Sequence, residues 1–150
     1  MSTETWPQKI EAFLTSDREI HNNLVSAETH QRRLDGAVRA TAMLEEGASL
    51  GAALRAGGFI GEKSYPELDA VTKDTKLVIS HWQCKDTPGY SPCSVGHQGR
   101  VWVWGDVGSW TGPYGNWCWP GEIVDYINRA TETAKRHAEY ERKRAEASRG

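Results

Sequence analysis

The apolar positions at the start of the chain recur at helical spacing. A short amphipathic segment begins at Trp6-Pro7 and places Ile10, Phe13 and Leu14 on one side. Pro7 suits the first turn of a helix, where its missing N–H has no intrahelical partner. The pattern therefore predicts a first, short helix.

A second, longer helix is predicted to begin at a capping box. Ser16-Asp17-Arg18-Glu19 places a hydroxyl and a carboxylate three residues apart, a spacing at which each side chain can bond the other residue's backbone N–H. Behind it runs a stripe at alternating steps of four and three: Ile20, Leu24, Ala27, Gln31, Leu34, Val38 and Thr41. We expect residues up to about 47 to be helical, kinked at Asp35-Gly36 and packed on a globular core. Self-association through this helix is the alternative.

A compact helical pair is predicted next. Gly47 ends the long helix, Ser49 caps a helix from Leu50 to Arg55, and Gly57-Gly58 stops it. With Met43–Gly47 and Ala53–Gly57, the stretch 37–58 resembles the helix-turn-helix units of bacterial and phage DNA-binding proteins. The resemblance implies a DNA-binding regulator. However, the following segment, 62–69, contains a proline and three acids, a poor surface to press against phosphates.

After residue 76 the pattern changes to short strands and a final helix. Strands are predicted at 77–82, 100–104 and 116–119, with a turn at 86–89 and a glycine-rich loop at 105–115. A long helix begins at Pro120-Gly121, and its last dozen residues should project into solvent or fray because they lose apolar character. Its inner stripe is Ile123, Ile127, Ala130, Ala134 and Ala138.

These elements predict an α+β fold in a single domain, 1–150. A helical N-terminal part (1–75) packs on a small, mainly antiparallel, tryptophan-rich sheet (76–119), and the C-terminal helix (120–150) covers or brackets that sheet.

Five of the seven tryptophans fall within residues 101–119. The indoles of Trp102 and Trp104, and those of Trp117 and Trp119, are two residues apart, so each pair shares a face if the segments are strands. If the segments pair antiparallel, four indoles form one aromatic face, which is either a core wall or a binding platform. The loop adds two further candidate contact residues, Trp110 and Tyr114.

Composition narrows the class of partner. A net charge of -2 argues against general affinity for nucleic acid, although seven basic residues stand against four acids from Arg129 onward. No basic and apolar leader opens the chain, and no apolar run approaches the roughly 20 residues that span a bilayer. We therefore expect a cytoplasmic protein without membrane contact.

The cysteines and nearby histidines suggest a second kind of site. His81, Cys84, Cys93 and His97 could supply four nitrogen and sulfur donors to zinc, with Cys118 as a substitute. The alternatives are buried structural cysteines with surface histidines, or a Cys84–Cys93 disulfide. The cofactor expectation is thus none, or zinc at this cluster.

The sequence favours a non-catalytic function. We expect a small binding or inhibitory protein, of phage-like or mobile-element-like character, that contacts a protein partner through its tryptophans. A helix-turn-helix-like regulator is the first alternative, and a zinc protein centred on the His/Cys cluster is the second.

Overall fold

The computed structural model describes residues 12–77, 89–106 and 113–149, and within them the α+β fold is confirmed. The chain forms β1 (Phe13–Leu14), β2 (Ile20–His21), α1 (Leu24–Glu45) and α2 (Leu50–Ala56), then a 3₁₀ helix (Pro66–Ala70). There follow β3 (Ser91–Val95), β4 (Val101–Asp106), β5 (Pro113–Cys118) and α3 (Pro120–Arg149). The strands form a two-stranded sheet, β1–β2, and a three-stranded sheet ordered β3–β4–β5, both antiparallel.

Of the predicted first helix, the residues up to 11 lie outside the described part, and Phe13 and Leu14 lie in a strand instead. Phe13 pairs with His21 and Leu14 with Ile20 in a small hairpin. The supposed capping box, 16–19, is the loop of this hairpin: the Arg18 N–H donates to the Thr15 carbonyl, and Arg18 has a left-handed φ of 70°. The capping-box prediction was wrong because a short polar segment with serine and aspartate also forms tight turns.

Helix α1 begins later than predicted and remains unbroken through Gly36. Its N-cap is Asn23, whose side chain accepts hydrogen bonds from the N–H groups of Val25 and Ser26. At Gly36 a Cβ would collide with the carbonyl oxygen of Gly57, so this glycine serves close packing against the end of α2 rather than a kink. The buried face consists of Ala27, Gly36, Ala37, Ala40 and Leu44.

The α1–α2 pair forms as predicted at its ends. The Ser49 hydroxyl accepts from the Ala52 N–H at the start of α2, and Gly57 is its C-cap. The acidic segment after the pair forms the 3₁₀ helix, and its Asp69 accepts two hydrogen bonds from the Arg55 guanidinium of α2. The small residues of the α1–α2 pair therefore serve packing within the molecule. The 3₁₀ helix that follows is held against α2 by the ion pair between Arg55 and Asp69.

The three-stranded sheet forms with changed strand boundaries. Strand β4 extends to Asp106 and β5 begins at Pro113, so both strands take residues that had been predicted as loop. Strand β3 was not predicted, and its Pro92 is a residue that is rare within strands. Pro92 is tolerated on this edge strand, where β3 also carries a bulge between residues 92 and 94. Of the predicted strand at 77–82, Leu77 forms an isolated bridge with Tyr90, and residues 78–82 lie outside the described part.

The core lies between the inner face of this sheet and the helices. Thr41 of α1 anchors the edge of β3: its hydroxyl accepts from the Val95 N–H at 3.0 Å and lies 3.3 Å from the Val95 carbonyl. The largest fully buried side chains include Leu44, Leu50, Leu54, Leu68, Val101, Val103, Cys118 and Ile123.

Helix α3 contacts the core only near its start. Ile123 and Val124 are buried, Tyr126 and Ile127 are partly buried, and every residue from 131 to 149 is exposed. The predicted projection of this helix is confirmed, although it leaves the core earlier than the stripe through Ala134 suggested. No helix in the described ranges is long and apolar enough to cross a membrane.

Candidate functional site

Strand β4 separates the sheet into two different faces. Val101 and Val103 are fully buried on the inner face, whereas Trp102 is half-buried and Trp104 is 45% exposed on the outer face. Because side chains alternate along a strand, the two valines of β4 pack into the core and the two indoles lie on the opposite face of the sheet. The indoles of Trp102 and Trp104 therefore do not form a wall of the core.

Strand β5 adds its indoles to the same outer face. Trp117 is the direct cross-strand partner of Trp102, and their rings are 5.1 Å apart between centroids and inclined at 67°. Such an edge-to-face pair contributes about 0.5–1.5 kcal/mol beyond its buried area. Trp117 is 41% exposed, and Trp119, two residues further on, is 48% exposed. We call Trp102, Trp104, Trp117 and Trp119 the tryptophan face.

The residues around the rings determine how they lie. A Cβ at Gly115, which is opposite Trp104, would collide with the ring of Trp102, so that ring covers the glycine. The Arg100 guanidinium lies 5.4 Å from the Trp119 ring centroid, within the range of a cation–π contact. A small pocket of about 190 Å³ opens beside Trp117 and Arg100 at the turn between β3 and β4. The tryptophan face thus combines large rings, one cation and a concave edge.

The predicted loop contacts are placed only in part. Trp110 lies outside the described residues. The backbone of Tyr114 belongs to β5, opposite Gly105, while its side chain is outside the described part.

The predicted His/Cys cluster is also placed only in part, since His81 and Cys84 lie outside the described residues. Cys93 is exposed, and its Sγ lies 3.5 Å from the Trp102 carbonyl oxygen. Partial desolvation of the sulfur raises the pKa of the Cys93 thiol, which makes it a weaker nucleophile at neutral pH. Burial, assisted by Glu122, raises the pKa of Cys118 to about 11.

His97 takes part in a different constellation, at the N-terminal hairpin. Its ring packs edge-on against His30 of α1, with centroids 5.3 Å apart, and His30 in turn packs against His21 at 5.0 Å. Two carboxylates of the hairpin loop face these rings, those of Asp17 and Glu19. We call Asp17, Glu19, His21 and His30 the histidine–carboxylate cluster.

The geometry within this cluster is close. His30 Nε2 lies 2.6 Å from Asp17 Oδ2 and 3.1 Å from Glu19 Oε2, and His21 Nε2 lies 3.5 Å from Glu19 Oε1. The side chains of His21 and His30 are only 11% and 13% exposed. Hydrogen bonds from Thr15 and then from His30 hold the pKa of Asp17 far below its usual range, so Asp17 is a carboxylate at neutral pH.

A groove adjoins the cluster. It has a volume of about 510 Å³ and a mostly apolar lining from α1 that includes Leu34, Ala37 and Val38, with Asp17 and His97 also on its wall. Polar groups that converge beside an apolar concavity are typical of ligand sites.

Comparison with protein-family models, characterised proteins and solved structures finds no match for this chain. The site must therefore be interpreted from its own chemistry.

Sequence reasoning missed the histidine–carboxylate cluster. A signal was present: Asp17, Glu19 and His21 alternate with other residues, as ligands on a hairpin do, and His30 follows on a helix. The alternation was overlooked because residues 16–19 were interpreted as the start of a helix, in which positions two apart do not share a face. The contact of His97 with His30 spans 67 residues and has no local signature.

Proposed function

We propose that this protein is a small, non-catalytic binding protein that engages a protein partner through the tryptophan face. The observation that carries the proposal is the exposure of Trp104, Trp117 and Trp119, each 41–48% accessible, on the side of the sheet away from the core. Trp110 and Tyr114, the latter at the start of β5, extend the proposed contact surface.

The exposed part of each ring could contribute to the free energy of binding if a partner covered it. A partner that removed about 100 Å² of apolar surface from each ring would gain about 2.5 kcal/mol per ring at ~25 cal/mol/Å², before the cost of association. Contiguous exposed aromatic surface on a soluble domain tends to mark an interaction site. Within the face, the ring of Trp102 packs edge-on against that of Trp117.

The chemistry favours a protein over a nucleic acid. Stacking on bases is normally accompanied by several lysines and arginines, whereas Arg100 is the one cation with a recorded contact to the face in the described ranges. Tryptophan and arginine together are the residues most enriched at protein–protein hot spots. The partner surface should therefore present apolar groups with an acidic residue opposite Arg100.

The test compares capture of partners by the wild type and by Trp104→Ser/Trp117→Ser. The partner that is captured is identified and purified. Its affinity is then measured by titration against the wild type and against the double variant. The double variant should bind at least about 10-fold more weakly, because hot-spot tryptophans each contribute about 2 kcal/mol or more. Tyr140→Ser, on the exposed part of α3, is the matched control and should bind like the wild type.

Thermal unfolding of the same variants separates binding from folding. The double variant should keep a cooperative transition at a somewhat lower temperature, because it loses the ring contact between Trp117 and Trp102. Val103→Ser, on the fully buried inner face, should lose several kcal/mol. Undiminished binding by the folded double variant would overturn the proposal. Capture of DNA with a steep salt dependence would instead favour the helix-turn-helix-like regulator.

A further inference from the structure

We propose that the histidine–carboxylate cluster binds a divalent transition-metal ion, for which Zn²⁺ is the first probe. The ligands are His21 and His30 through Nε2 and the carboxylates of Glu19 and Asp17. This site is separate from the tryptophan face and differs from the His81, Cys84, Cys93 and His97 set that the sequence suggested.

The spacing of the donor atoms fits a tetrahedral ion. With metal–ligand bonds of about 2.0–2.1 Å, neighbouring donor atoms are about 3.3 Å apart. Ligand atoms of Glu19, His21 and His30 all lie within 4.8 Å of one another. The two oxygens of Glu19 each lie near one imidazole at about this separation: Oε2 is 3.1 Å from His30 Nε2, and Oε1 is 3.5 Å from His21 Nε2. The fourth donor, Asp17 Oδ2, lies 2.6 Å from His30 Nε2, closer than two ligands of one ion lie, and must move to serve as a ligand.

The surroundings orient two of the ligands. His21 Nδ1 lies 3.1 Å from the Ser26 hydroxyl, so a proton held there leaves a lone pair on Nε2. Oδ1 of Asp17 accepts from the Thr15 hydroxyl and from the Glu19 N–H, which leaves Oδ2 for the site. Such outer hydrogen bonds are a regular feature of built metal sites.

One buried nitrogen of the cluster lacks a hydrogen bond. The Nε2 atom of His21 lies 3.5 Å from Glu19 Oε1, within ion-pair distance, but it is buried and makes no hydrogen bond within the described part of the chain. Leaving a buried polar atom unsatisfied costs about 1–3 kcal/mol. A metal ion satisfies this atom and neutralises both carboxylates.

The donor set defines the class of metal. Two imidazoles and two carboxylates suit Zn²⁺, Fe²⁺, Co²⁺ or Ni²⁺, whereas Ca²⁺ and Mg²⁺ prefer sites built of oxygen alone. Since Asp17 also lines the 510 Å³ groove, the bound ion would lie at the edge of that groove.

The test is calorimetric titration of Zn²⁺ into tag-free, chelator-treated protein. We expect one ion per chain. His30→Ala and Glu19→Gln should each weaken binding at least about 100-fold, and Ser26→Ala, which disturbs only the orientation of His21, about 10-fold. His137→Ala, on the exposed part of α3, is the matched control and should leave the affinity unchanged. Mg²⁺ should not compete.

Two further measurements keep the proposal falsifiable. The absorption spectrum of the Co²⁺ form should lack the intense charge-transfer band that a cysteine thiolate ligand produces, and Cys93→Ser should bind Zn²⁺ like the wild type. Circular dichroism checks that each variant is folded. The proposal is overturned if the wild type binds no ion at unit stoichiometry, if folded His30→Ala and Glu19→Gln bind normally, or if Cys93→Ser abolishes binding.

Discussion

At the scale of single residues, two glycines show how this chain allows close approach. Gly36 lets α1 contact the backbone of Gly57, and Gly115 lets the ring of Trp102 lie directly over β5. In both places the close neighbour is backbone or a large ring, which cannot move aside as a flexible side-chain end would. A methyl group at either position must therefore displace its surroundings.

Gly115→Ala tests this at the tryptophan face. The added methyl overlaps the Trp102 ring and should destabilise the fold by about 1–3 kcal/mol, the usual cost of overpacking. It should also change the near-ultraviolet circular dichroism, because the Trp102–Trp117 pair is displaced. Chemical denaturation measures the first effect. Gly61→Ala, at an exposed position where a Cβ meets only the Ser64 hydroxyl at 3.4 Å, is the control and should be close to neutral. Equal stability of the two variants would contradict the packing argument.

At the scale of elements, an ion pair joins α2 to the 3₁₀ helix. The hydrogen bonds from Arg55 hold the pKa of Asp69 below its usual range. A depressed carboxyl pKa contributes stability that is present above the unfolded value of about 3.9 and is lost as the pH falls toward the folded value. Asp69→Asn should therefore lower the melting temperature at pH 7, and its difference from the wild type should shrink below about pH 4. Thermal unfolding across this range measures it. Asp74→Asn, at an exposed position, is the control. If the melting temperature of Asp69→Asn stays below that of the wild type by the same amount down to pH 3, the assignment is wrong.

Also at this scale, the elements marked by a local sequence pattern were predicted, whereas those that depend on their place in the folded chain were not. A serine before a helix and tryptophans at two-residue spacing are local patterns that can be recognised in the sequence. The start of α2 at Ser49 and the antiparallel pairing of β4 with β5 therefore agree with the prediction. Strand β3 was missed because Pro92 is permitted only by an edge position, and strand order is a tertiary property. The β1–β2 hairpin was missed because Ser16–Glu19 suits either a helix start or a turn.

The candidate sites divide in the same way. That the indoles would share a face followed from the two-residue spacing, but whether that face was core or surface depended on which side the helices cover. The histidine–carboxylate cluster could not be predicted from spacing, because its residues come from the N-terminal hairpin and from α1, which meet only in the folded chain.

At the scale of the whole molecule, the N-terminal hairpin is attached less firmly than the main sheet. Its strands are two residues long and contact α1, whereas β4 lies between two strands and over the core. An isolated two-stranded hairpin is marginally stable in water. The contacts of His30 in the histidine–carboxylate cluster and two hydrogen bonds between Ser16 and Gln31 join the hairpin to α1.

This arrangement predicts a local response to metal in hydrogen exchange. Without added ion, amides of the hairpin, such as the Thr15 N–H that bonds the Glu19 carbonyl at 3.0 Å, should exchange faster than those of β4. Because opening of the hairpin breaks the proposed site, Zn²⁺ at 100 times its Kd should slow their exchange about 100-fold, equivalent to ~2.7 kcal/mol. Amides in the exposed part of α3 should not respond, and His30→Ala should abolish the effect. Hairpin amides that are as protected as those of β4 before metal is added would show that the cluster is already rigid. Slowing that persists in His30→Ala would place the ion elsewhere.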